Sequence, residues 1–119
     1  MNGSVDVDVW VRGTHHATTH RITSVPLPAD AWTETDVKQL LSEMLLAIER
    51  EKNPDGEPPP VTLRGFSWIV SPYDAGGVLL HLDMQMGTAS AGPFRIDQRR
   101  LSQMVEHAME KSDPTDRVH

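Results

Sequence analysis

VTLRGFSWIVS at residues 61–71, PYDAGG at 72–77 and VLLHLDMQMGTAS at 78–90 form the stretch whose reading decides the fold. Val78, Leu80, Leu82, Met84 and Met86 occupy every second position, with Leu79, His81, Asp83 and Gln85 between them. Side chains on a strand alternate faces, so a period of two marks a half-buried strand. Two apolar runs around a six-residue loop predict a long β-hairpin. The rest of the chain reads as cover for it.

Working outward, Val5, Val7, Val9 and Val11 alternate with Asp6, Asp8, Trp10 and Arg12, which predicts another strand. Gly13-Thr14 reads as a turn, and the run to about Val25 as a weaker strand ended by Pro26 and Pro28, neither of which can donate to a ladder. Thr33 is a good N-cap, with Glu34 and Asp36 at the positive end of the helix dipole and Trp32 and Val37 placed as a hydrophobic staple. Val37, Leu40, Leu41, Met44, Leu45 and Ile48 then follow one helical stripe, predicting a helix to about Lys52, ahead of Asn53-Pro54. DGEPPP is a stiff connector. Past the hairpin, Ala91-Gly92-Pro93 reads as a turn. Asp97 caps a second helix, with Ile96 and Leu101 as its staple and Leu101, Met104, Val105, Ala108 and Met109 on its buried stripe.

The expected order is ββαββα. Its compact solution is an α+β two-layer sandwich: a four-stranded, mainly antiparallel sheet with two helices on one face. A single domain over residues 1–111 and a flexible tail over 112–119 suit the 119-residue length. The chain has no cysteine, which removes disulfides and thiolate chemistry and fits a reducing cytoplasm. The N-terminus lacks a basic and apolar leader pattern, and no apolar run approaches the roughly 20 residues that span a bilayer. A net charge of −6 works against a grip on phosphate backbones. Neither nucleic acid nor a membrane is an expected partner.

Parity decides what the sheet shows on its uncovered side. If Ser71 pairs with Val78, then Ile69 shares the helix side with Leu80. Arg64, Phe66, Trp68 and Val70 then fall on the open side with Leu79, His81, Asp83 and Gln85, and Trp10 joins them. An aromatic centre with a polar rim suits an interface. A β-bulge at Gly65, or a register slip of one residue, would instead turn Phe66, Trp68 and Val70 inward.

Few residues suggest chemistry. His15, His16 and His20 are the densest histidines. On a strand, residues four apart are splayed by roughly 13 Å, so no metal site is expected. His81 and Asp83 share a strand face about 7 Å apart, and Asp83 could orient the imidazole for base catalysis. No GxSxG nucleophile motif accompanies them, so no catalytic residue is assigned. Gly76-Gly77 leads into a strand rather than a helix and reads as a hairpin turn instead of a phosphate loop. The expectation is a non-catalytic interaction module without cofactor. It self-associates, as a homodimer, or docks a protein partner through Trp10, Arg64, Phe66, Trp68, Val70, Leu79, His81 and Asp83. The alternative is a small-molecule-binding protein or small enzyme anchored by His81 and Asp83.

Overall fold

A computed structural model describes residues 4–25, 28–53, 55–56 and 66–112. The valine alternation forms β1 (Val5–Val11), with all four valines buried and Asp6 and Asp8 exposed. It pairs with the edge strand β2 (Thr18–Ile22). After a short 3-10 turn at Ala29–Ala31 comes α1 (Glu34–Lys52), which starts where the sequence places it. Thr33 accepts from the Asp36 backbone N–H, and the Asp36 carboxylate accepts from the Thr33 N–H at 2.9 Å, a complete capping box. The predicted stripe of Val37, Leu40, Leu41, Met44, Leu45 and Ile48 is buried, together with Ala47.

Three strands follow: β3 (Ser67–Pro72), β4 (Val78–Met84) and β5 (Gly87–Phe94). Last comes α2 (Gln98–Ser112), whose N-cap Asp97 accepts from the Arg100 N–H at 3.1 Å. The sheet therefore has five strands, ordered β2-β1-β5-β4-β3 and antiparallel throughout. α1 lies over β1 and β5 and reaches β2, while α2 packs beside α1 and against β3. Between the layers sits one core that includes Val7, Val9, Leu40, Leu41, Met44, Leu80, Leu82, Leu101 and Val105. Trp32 and Phe94 close one part of it edge to face, with ring centroids 4.8 Å apart. The Arg100 guanidinium donates to the carbonyls of Asp30 and Trp32, tying the start of α2 to the segment ahead of α1.

Three expectations are corrected. The chain runs ββαβββα, because the long apolar run from Val78 is itself a hairpin: Met84 pairs with Gly87, and Gln85 and Met86 form the connection. The expected turn at Ala91-Gly92-Pro93 is a bulge inside β5, since Val78 pairs with Phe94 and Leu80 with Ala91. Gly92 takes the extra position at φ +122°, where a Cβ would come within 2.7 Å of the Val78 carbonyl oxygen. The third correction is register. Pro72, not Ser71, pairs with Val78, and the Tyr73 N–H donates to the Gly77 carbonyl. Pro72 thereby sits in a pair that exchanges no hydrogen bonds, and its missing N–H points to the outer edge, where nothing requires it. The next residue on that edge, Val70, has its carbonyl occupied by the Gln98 side-chain amide at 3.0 Å.

Candidate interaction surface

Register builds the open face row by row, because directly paired residues share a side. One row crosses all five strands: Thr19, Asp8, Ser90, His81 and Ile69. A second holds Trp10, Thr88, Asp83 and Ser67. A third carries Arg21 and Asp6 on one side, and Leu79 and Ser71 on the other. The central strand β5 contributes small hydroxyl residues between the larger side chains of β1 and β4. Ile69 is the most exposed large apolar side chain described, at 58%, and Tyr73, just past the same strand, is exposed at 45%.

Local hydrogen bonds hold this face in order. Thr19 Oγ1 donates to Asp8 Oδ1 at 2.7 Å, and Arg21 Nε reaches Asp6 Oδ1 at 3.4 Å. The second pair is well exposed on both sides and contributes little to stability. Trp10 Nε1 donates to the Thr14 carbonyl at 3.1 Å, which lays the half-buried indole along the end of β1. His81 Nδ1 and Ser90 Oγ meet at 2.6 Å across β4 and β5. That contact resembles the first element of a nucleophile–base pair. Ser90 pairs with Asp8 on one side and His81 on the other, so its own N–H is committed to the sheet and is not free to stabilise an oxyanion. The geometry holds a side chain in place more readily than it performs acyl transfer.

The sequence-derived partner surface is redrawn by the register. Trp68 pairs with Leu82 and Val70 with Leu80, so both point toward the helices. Val70 is buried, and Phe66 and Trp68 are partly buried against the core. These three leave the open face. Trp10, Leu79, His81 and Asp83 stand on it, while Arg64 lies outside the described residues. The residues the sequence reading left out are Ile69, Thr88 and Ser90. Moving the pairing by one residue in β3 would have found Ile69, and the two hydroxyls become visible once β5 is counted as a strand.

The histidines near the first turn part company. His15 and His16 are exposed, whereas His20 points to the helix side, with Nε2 3.0 Å from Glu51 Oε1. Thr18 Oγ1 donates to the other oxygen of the same carboxylate at 3.1 Å, so Glu51 ties β2 to the last turn of α1. Among the described residues, no three His, Asp or Glu side chains gather closely enough to share an ion. Among them, too, no helix is long and apolar enough to cross a membrane. No family model, curated protein or solved structure matches the chain.

Proposed function

We propose that this protein is a non-catalytic interaction module that docks a protein partner on the open face of its sheet. One observation carries the reading: both helices cover the same side, and the uncovered side presents Ile69 at 58% exposure in a row of ordered polar residues. Leu79 lies diagonally across from Ile69 on β4, Trp10 stands on β1 beyond the polar rows of β4 and β5, and Asp6, Asp8, Asp83 and Arg21 share the same side. Exposed apolar side chains set among ordered polar ones suit a docking surface. With Phe66, Trp68 and Val70 turned inward, the patch is smaller than the dry aromatic seam a homodimer was expected to use. Three carboxylates stand on it against one guanidinium, so two copies face to face would set like charges together. A different protein is therefore the favoured occupant, and a second copy is the alternative.

The test places a photo-cross-linking residue at Ile69 and, in a separate chain, at Gln103 on the exposed side of α2, in the cells that make the protein. Adducts of one defined mass from position 69, with none from 103, are expected. An adduct of twice the chain mass identifies a second copy as the occupant. Absence of adducts at 69, or equal yields from both positions, would refute docking through the sheet. The His81–Ser90 contact favours one second reading, a small polar ligand held by His81 and Asp83. His81→Ala would abolish such binding and leave protein docking at Ile69 nearly intact.

A further inference from the structure

The two layers part at one end of the molecule, where β1, the β4–β5 connection and the last turn of α1 meet. The opening holds about 410 Å³ and is lined by Val11, Arg12, Lys52, Gln85 and Met86. That volume is within the range of small-molecule sites, about 300–1,000 Å³. Its floor is apolar: Val11 is the last buried valine of β1, and Met86 packs against the core from the connection. A methionine floor adapts to the shape of what it meets. Two cations stand at its rim, in a chain whose net charge is −6.

Arg12 is held from behind. Its backbone N–H donates to the Met86 carbonyl and its Nε to the Gln85 carbonyl, each at 2.9 Å. The root of the guanidinium is thus fixed, and its terminal nitrogens make no hydrogen bond or ion pair among the described residues. A planar guanidinium fixed at Nε presents a fork that matches a carboxylate. Lys52, across the opening, likewise has no carboxylate partner among the described residues. Glu51, the acid next to it, is turned to β2 and spends both oxygens on Thr18 and His20. The carbonyl end of α1 repels anions, which Lys52 offsets, and that places a bound carboxylate nearer Arg12 than the helix axis.

We propose that this opening binds a small amphipathic carboxylate, with its hydrocarbon part on Val11 and Met86 and its charged head on Arg12 and Lys52. The site lies at the end of the sheet, beyond the row of Trp10 and Asp83, and neither reading needs the other.

Octanoate is the probe, added to the full chain and followed by amide chemical shifts. Saturable shifts confined to Arg12, Gln85, Met86 and the end of α1 are expected. Octanol, which lacks the charge, should bind about tenfold more weakly, and acetate, which lacks the chain, at least about a hundredfold more weakly, as the loss of one charged contact and of apolar burial respectively imply. Arg12→Gln should weaken octanoate by about tenfold. Because that change also removes the bond to Gln85, Lys52→Gln serves as the second variant. Lys52 is exposed and makes no such contact, so the melting temperature of this variant should fall only slightly, through the helix dipole alone, while octanoate affinity falls. Shifts scattered over the surface without saturation would overturn the site. So would octanol binding as well as octanoate, or octanoate affinity unaltered by Lys52→Gln.

Discussion

Ile69 and Val70 are neighbours in sequence and opposites in the fold, and comparing their alanine variants tests the register of β3 directly. Val70 is 6% exposed and pairs with Leu80, itself wholly buried. Trimming it to alanine removes two methyl groups, about 1.6 kcal/mol of transfer at about 0.8 per carbon, and the cavity term brings the total to about 2 kcal/mol. Ile69→Ala removes three carbons, but from a side chain 58% exposed, so about 1 kcal/mol or less is at stake. Urea unfolding of both variants against the parent measures the difference, provided the slopes agree and the transition is two-state. At about 4 °C per kcal/mol, Val70→Ala should melt about 8 °C below the parent and Ile69→Ala at most about half as far below. The reverse order would show that Ile69 faces the helices and would dissolve the open face as described.

Further outcomes follow from the same packing. Trp68→Glu should destabilise or unfold the chain, because it brings a charge against the core beside Leu82; a fully stable, folded variant by circular dichroism would contradict the inward placement. Thr33→Ala should cost about 1 kcal/mol through loss of the capping box, read as a lower denaturation midpoint; an unchanged midpoint would mean the cap is not formed. Zinc should produce no saturable rise in melting temperature, since His20 is engaged with Glu51 on the helix side while His15 and His16 are exposed; a rise abolished by His16→Ala together with His20→Ala would refute this.

The sequence announced those elements whose hydrophobic period was unambiguous and whose ends carried specific chemistry. α1 was legible from Thr33 to Lys52 because capping and the apolar stripe agreed, and the valines of β1 reported their own face. β5 was illegible because its inward positions are Gly87, Ala89 and Ala91, too small to register as a hydrophobic alternation. The Met84–Met86 spacing also carried the pattern of β4 across its own turn. A two-residue connection exchanges the parity of the inward positions, from even in β4 to odd in β5, and the small residues concealed the exchange. The candidate surface failed on one proline. Counting Pro72 as the first residue of the loop ended the strand one residue early, although proline is tolerated in a strand where its nitrogen points away from the ladder. That single residue reversed the assignment of Phe66, Trp68, Ile69 and Val70.

The outer border of β3 constrains how any partner can approach. A strand at the rim of a sheet ordinarily offers a template on which a foreign backbone can extend the ladder. Here Pro72 supplies no donor, and the Gln98 amide already occupies the Val70 carbonyl. Recognition by strand addition is blocked along this stretch, and so is the aggregation route it would open. Any molecule that meets this border must engage it through side chains standing off the pleat. Its selectivity is then written in shape and charge, with main-chain pairing contributing nothing at this border.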